Sequence, residues 1–172
     1  MKALVLLLAL TGYTFAQCNL PLLESPTIRD VQLGMSQRSI LDTLGKPSGN
    51  FTPNSLNYYG SLDKAPALQG VWTLHLAFYK DRAELIQIRY EHDAAPFTDI
   101  LDFASTLSER WKLPKMAWER SGDAMSMNCG HFLVQLAHGY YPTVELSDLD
   151  AKTEKDREAA KARDQRKAAF KP

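Results

Sequence analysis

The fold is decided by residues 72–91, which read WTLHLAFYKDRAELIQIRYE. Apolar and more polar residues alternate on both sides of a central polar group, KDRA at residues 80–83. A period of two on each side of a polar turn predicts two paired antiparallel strands with one buried face. The residues predicted to point into the core are Trp72, Leu74, Leu76, Phe78, Ile86, Ile88 and Tyr90.

Two helices flank this hairpin in the sequence. The first is predicted to begin at the N-cap Ser36 and to stop at Gly45, with Pro47 preventing its continuation. The second is predicted to start near Pro96 or Thr98 and to end at residues 112–114. Its apolar residues recur at helical spacing and form one face, namely Ile100, Phe103, Ala104, Leu107 and Trp111.

Further short segments have the composition of strands. They are residues 116–120, 124–129, 132–138 and 143–146, with another short strand at 56–59 inside a loop-rich stretch. Each predicted helix is therefore followed by strands, which suggests two helix-then-strands modules that share one sheet. The fold class expected from this order is α+β, an antiparallel sheet packed by two helices.

The C-terminal residues 150–172 differ from the rest of the chain. They contain eight basic and five acidic residues, and their apolar content is nearly all alanine. We expect a charged helical tail, capped at Ser147, that buries little surface and is not needed for folding. Residues 17–149 are then predicted to form a single α+β domain.

The N-terminus has the pattern of a secretory signal peptide at residues 1–16. Lys2 precedes an apolar run at residues 3–10, and Thr14-Phe15-Ala16 provides small residues for cleavage after Ala16. The predicted location is therefore the periplasm or the exterior of the cell. Lipidation of Cys18 is the alternative, although Gln17 is larger than the residue that normally precedes a lipidated cysteine.

The sequence contains two cysteines, Cys18 and Cys129. An even number of cysteines in an exported chain favours a disulfide, and two free thiols are the alternative. No apolar run besides the one at residues 3–10 is long, so we expect no transmembrane segment after signal cleavage.

The composition and the motifs argue against several classes of function. Basic and acidic residues balance at 20 each, which does not suggest a nucleic-acid partner. The histidines His75, His92, His131 and His138 have no metal-ligand spacing, and no phosphate-binding loop occurs, so we expect no metal and no cofactor.

Two groups of residues in the sequence have side chains that could serve in catalysis. Cys129-Gly130-His131 places a thiol beside a base, but a disulfide would consume that thiol. Asp93, Asp99 and Asp102 cluster where the second helix begins, a position that favours carboxylates through the helix dipole. The sequence therefore assigns no catalytic residue, and a small hydrolase with an unrecognised site stays the alternative.

Two tyrosine pairs are not explained by strand or helix periodicity. Tyr58-Tyr59 and Tyr140-Tyr141 lie in segments rich in turn residues. Tyrosine binds with little loss of conformational entropy, so we predict these four residues as binding residues. The alternative is that they cover the edges of the core.

The segment from Gln32 to Pro47 carries a family resemblance. Residues 32–36 (QLGMS), a short helix and residues 44–47 (LGKP) resemble the small exported modules of the BamE/SmpA type. The β-lactamase inhibitor proteins are similar in using two such modules in tandem. The resemblance implies an exported, non-catalytic module that binds an envelope or extracellular protein. It assigns no site residue, because the matching residues are structural. A contact of the tail with a membrane surface or a polyanion is a further alternative.

Overall fold

The computed structural model describes residues 17–60 and 65–170. The signal peptide predicted at residues 1–16 lies outside this range. The helices are α1 (Gln37–Leu44), α2 (Ile100–Trp111) and α3 (Leu149–Ala169). The strands are β1 (Phe51–Thr52), β2 (Ser55–Tyr59), β3 (Val71–Tyr79), β4 (Arg82–Tyr90), β5 (Glu119–Ser121), β6 (Ala124–Asn128), β7 (Phe132–Ala137) and β8 (Thr143–Asp148).

The eight strands form one antiparallel sheet in the order β1-β2-β3-β4-β8-β7-β6-β5. The first four strands follow α1 in the chain, and the last four follow α2. The two groups meet where β4 pairs with β8, from Leu85↔Ser147 to Arg89↔Thr143. The predicted α+β class, with two helix-then-strands modules in one sheet, is therefore confirmed.

One face of the sheet forms the core. Cross-strand partners lie on the same face of a sheet, and one such row runs from Leu56 through Leu76, Ile86 and Leu146 to Val134. Every residue of this row is fully buried. The buried residues of α1 and α2 join the same core cluster, so both helices cover this face. We refer to the opposite side of the sheet as the open face.

The N-terminal segment is fixed beside the second module. Cys18 and Cys129 form a disulfide that joins residues 111 positions apart, which confirms the predicted pairing. The backbone amide of Leu20 donates to the carbonyl oxygen of Cys129 at 3.2 Å. Because the Cys18 sulfur is bonded to Cys129, it is not available for a thioether to lipid.

The helix termini follow their capping residues. Ser36 caps α1 as predicted, since its hydroxyl accepts from the amide of Ser39 at 3.2 Å. The helix α2 begins two to four residues later than predicted, because the Asp99 carboxylate accepts from the amides of Leu101 and Asp102. A side chain that satisfies two free amides fixes the helix start more strongly than a proline upstream.

The central hairpin has a shorter turn than predicted. Tyr79 pairs with Arg82, so the turn contains only Lys80 and Asp81, both with positive φ of 51° and 60°. This conformation matches the twist of a two-residue hairpin turn. Positive φ is unusual for lysine, which is why the sequence indicated a longer, four-residue turn.

The helix α3 has no buried residue, as the sequence predicted. Asp148 caps it instead of Ser147, by accepting from the amide of Ala151 at 2.9 Å. Its first half is tied to the β3–β4 hairpin by ion pairs of Lys80 with Glu154 at 2.6 Å and of Lys155 with Glu84 at 2.6 Å. Phe170 at its end is 76% exposed.

Candidate functional site

A row of polar side chains crosses the middle of the open face. The row follows the register through Asn57, His75, Gln87, Glu145 and Gln135. Asn57 Oδ1 lies 2.7 Å from His75 Nδ1, and the Gln87 amide donates to Glu145 at 2.8 Å. These pairs hold the side chains in defined positions, which lowers the entropy that a partner would have to remove on binding.

Four aromatic rings form a continuous series of ring contacts at one end of the sheet, which we call the aromatic ladder. Its members are Trp72, Tyr141, Tyr140 and His92. Trp72 stacks on Tyr141 with ring centroids 5.1 Å apart and an interplanar angle of 13°. Tyr140 meets Tyr141 edge-on with ring centroids 4.8 Å apart, and His92 stacks on Tyr140 with centroids 5.2 Å apart. The ladder brings together residues from three separate parts of the chain.

Trp72 belongs to the ladder because of a β-bulge. The pairing of β3 with β4 shifts between Val71↔Tyr90 and Thr73↔Arg89, which leaves Trp72 without a partner of its own. Val71 and Leu74 are both buried, so the two residues between them lie off the core face. The prediction that Trp72 is a core residue is therefore wrong, and its side chain is 42% exposed.

The predicted binding tyrosines separate into two groups. Tyr140 and Tyr141 lie in the ladder, and Tyr59 is an exposed residue that pairs with Thr73, the neighbour of Trp72. Tyr58 needs a correction. It is fully buried on the core face of β2, and its hydroxyl donates to the carbonyl oxygen of Gly45 at 2.8 Å. The alternation along β2 turns Tyr58 inward and Tyr59 outward.

Hydrogen bonds fix the loop that carries the ladder tyrosines. The amide of Tyr90 donates to the carbonyl oxygen of Pro142 at 2.9 Å, and the Thr143 hydroxyl donates to that of Tyr141 at 3.0 Å. Pro142 itself is buried. The exposed Tyr140 ring and the half-buried Tyr141 ring are therefore presented by a loop whose backbone is anchored to the sheet.

On the open face, the surroundings of His75 shift the pKa of its imidazole. Burial lowers the pKa of this imidazole and outweighs the opposite effect of Glu145, while Arg89 also lowers it. The neutral imidazole is therefore favoured near pH 7, as expected for a side chain paired with a neutral amide. Glu145 also accepts a hydrogen bond from the Ser147 hydroxyl at 3.2 Å.

Cys129, His131 and Asp99, which the sequence offers as catalytic candidates, have other partners in the structure. The Cys129 sulfur is in the disulfide, and His131 Nδ1 lies 2.6 Å from a carboxylate oxygen of Asp150. Asp99 caps α2, and its hydrogen bond from the amide of Asp102 is the main cause of its lowered pKa. Within residues 17–60 and 65–170, no three histidine, cysteine or acidic residues cluster as metal ligands.

Sequence reasoning missed two ladder residues, Trp72 and His92. A bulge inserts one residue into an alternating pattern, and the alternation continues correctly beyond it from Leu74. The sequence clue is Val71, since two apolar residues in succession at the start of β3 leave one of them outside the core. No sequence pattern indicates that His92, which follows β4, meets the loop before β8.

Comparisons with known proteins identify no relative of this chain. No family model, no curated protein and no solved structure matches the chain. In the part of the chain that the structure describes, none of the helices has both the length and the apolar character needed to cross a bilayer.

Proposed function

We propose that this chain is an exported, non-catalytic module that binds an envelope or extracellular protein through the aromatic ladder and the adjoining open face. The observation that carries this proposal is the ladder itself, in which Trp72 and Tyr140 are 42% and 71% exposed and yet held in place by stacking. Rigid, exposed aromatic rings on an anchored loop are where binding energy concentrates in protein interfaces.

The composition of the open face beside the ladder favours a protein as the binding partner. Its polar side chains are paired in the hydrogen bonds of Asn57 with His75 and of Gln87 with Glu145. A polar surface next to an aromatic cluster matches the composition of protein interfaces, in which aromatic anchors lie beside polar residues. Eight strands spaced about 4.8 Å apart make this face about 34 Å wide.

Two observations bear on export. The Cys18–Cys129 disulfide persists in oxidising compartments and is rare in the cytosol. The sequence before Cys18 has the order of a signal peptide, with cleavage expected after Ala16. Both support a mature protein in the periplasm or outside the cell. The resemblance to BamE/SmpA-type modules stays a prediction.

The proposal is tested by quantitative capture from an envelope or secreted fraction. The wild-type chain is compared with the double variant W72A/Y140A and with L23A/M116A as a matched control. Leu23 and Met116 are 84% and 76% exposed and lie outside the ladder. We expect one protein whose recovery is at least about tenfold lower with W72A/Y140A and unchanged with the control.

Two results would contradict the proposal. One is that no captured protein distinguishes the two double variants. The other is that recovery falls only in proportion to a loss of folded protein in W72A/Y140A, measured by thermal unfolding. The second result would show that the ladder stabilises the fold and does not bind the partner.

A further inference from the structure

A small cavity lies on the opposite side of the sheet from the ladder. It has a volume of about 180 Å³ and is enclosed by the turn before α1, the end of β4, the segment after it and α2. Tyr90 lines it from the sheet, and Ile88, two residues earlier on the same face, is buried in the core. The cavity therefore opens on the helix-covered side and is distinct from the proposed protein-binding surface.

The cavity has both polar and apolar walls, and much of the apolar part comes from α2 and the segment before it. Phe97 stacks on Phe103 with ring centroids 4.3 Å apart, and Leu107 and Trp111 continue the α2 wall. An apolar cavity of about 150 Å³ is large enough for a benzene ring. The apolar part of a ligand in this cavity is therefore a single ring or a chain of about six carbons.

Two arginines, Arg29 and Arg110, line the same cavity. Arg29 sits in a two-residue turn closed by reciprocal hydrogen bonds between Ile28 and Val31, at 2.8 and 2.9 Å. Its guanidinium donates to the carbonyl oxygen of Gln69 at 3.0 Å and lies 5.8 Å from the centroid of the Tyr90 ring. Arg29 is thus held in a fixed position at the cavity.

Among the described residues 17–60 and 65–170, no acidic side chain forms a salt bridge with Arg29 or Arg110. Both guanidiniums are near enough to the Tyr90 hydroxyl to oppose the rise in its pKa that burial causes. Two positively charged side chains and a tyrosine therefore line the same small cavity.

We propose that this cavity binds a small carboxylic acid, with its ring or short chain against Phe103 and Leu107 and its carboxylate between Arg29 and Arg110. Guanidinium groups bind carboxylates through paired, charge-assisted hydrogen bonds. A cavity that combines an apolar wall with a few polar groups able to orient a ligand has the features of a small-molecule site. This ligand is independent of the protein partner proposed above.

The binding is tested by titrating the folded protein with benzoate and hexanoate, followed by NMR shifts of the Trp111 indole and the Tyr90 amide. Benzyl alcohol and hexanol are the neutral probes of matched size. We expect saturable binding of at least one acid, with a Kd below about 1 mM. The corresponding alcohol should bind at least about tenfold more weakly, because it lacks the charge.

Substitutions separate the cavity from general charge effects. The variants are R110Q and R29N, since asparagine tolerates the positive φ of Arg29, which is 52°. The control is R38Q, which removes an exposed arginine on α1 that does not line the cavity. Each cavity variant should weaken acid binding at least about tenfold, whereas R38Q should leave it unchanged.

Three outcomes would overturn the proposal. They are the absence of saturable shifts up to about 10 mM acid, equal binding of acid and alcohol, and equal weakening by R38Q and R110Q. Thermal unfolding of each variant verifies that it is folded. If either arginine variant fails to fold, the acid-versus-alcohol comparison on the wild-type chain decides alone.

Discussion

Removing the disulfide should lower stability more than most other small changes to this chain. In the double variant C18A/C129A, the bond that closes a loop of 111 residues is lost without leaving a free thiol. In the chain-entropy model, closing a loop of this length raises the free energy of the unfolded state by about 4.8 kcal/mol at 25 °C, because the unfolded chain loses conformational entropy. That figure is an upper value, and it corresponds to a decrease in Tm of roughly 10–20 °C for a domain of this size.

The structure also indicates where the native state changes. The N-terminal segment is held to the second module by the disulfide and by the hydrogen bond from the amide of Leu20 to Cys129. Residues 17–20 should therefore exchange their amide hydrogens faster in C18A/C129A. The amides of Ile86 and Leu146 in the sheet centre should still exchange only through global unfolding of the variant.

The assay is urea unfolding followed by tryptophan fluorescence, with amide hydrogen exchange as the second measurement. The oxidised wild-type chain is the reference, and the reduced wild-type chain should behave like C18A/C129A. A loss of unfolding free energy below about 1 kcal/mol, with unchanged exchange at Leu20, would refute the reasoning. It would mean that packing alone fixes the N-terminal segment.

Four further predictions concern the core, the ladder, the tail and the pH dependence. L74A should lower the free energy of unfolding in urea by about 2–5 kcal/mol because Leu74 is fully buried. W72A should lower it by only about 1 kcal/mol because Trp72 lies outside the core. Equal losses for the two variants would show that Trp72 belongs to the core. Y58F should cost about 1 kcal/mol through loss of the hydrogen bond to Gly45, and an unchanged midpoint in urea would show that this bond contributes nothing. Deleting residues 152–172 should lower Tm by no more than about 4 °C, because the ion pairs of α3 are mostly exposed; a truncated chain without a cooperative transition would make α3 integral to the fold. The pKa of His75 is lowered by burial from its ordinary value of 6.5, so the unfolded chain binds more protons in acid and stability should fall as the pH decreases below about 6.5. H75Q should show a smaller decrease over the same pH range, and parallel pH profiles would contradict this assignment.

Most of the fold follows from local sequence patterns. Alternation predicts β3 and β4, and helical spacing predicts α2, because each pattern reflects one buried face of a regular element. Gly45 and Ser36 mark the ends of α1 for the same local reasons. The pairing of Cys18 with Cys129 required only an even cysteine count and the expected compartment.

The candidate site was harder to predict because its members are far apart in the chain. Trp72 continues an alternating pattern and becomes exposed only through a bulge, a backbone irregularity without a sequence rule of its own. Tyr58 and Tyr59 are identical in type, and only the register of β2 separates the core residue from the exposed one. Arg29 and Arg110 come to line one cavity only after α2 packs on the sheet.

The most direct test of the proposed function is photo-crosslinking from defined positions on the folded chain. A benzophenone side chain is placed at Gly139, which is exposed next to Tyr140 and has open space for a side chain, so that the ladder stays intact. The control position is Met116, which is exposed outside the ladder. We expect a crosslinked protein from position 139 that excess unlabelled wild-type chain competes away, and none from position 116. No adduct at position 139, or the same adduct from both positions, would contradict binding through the ladder.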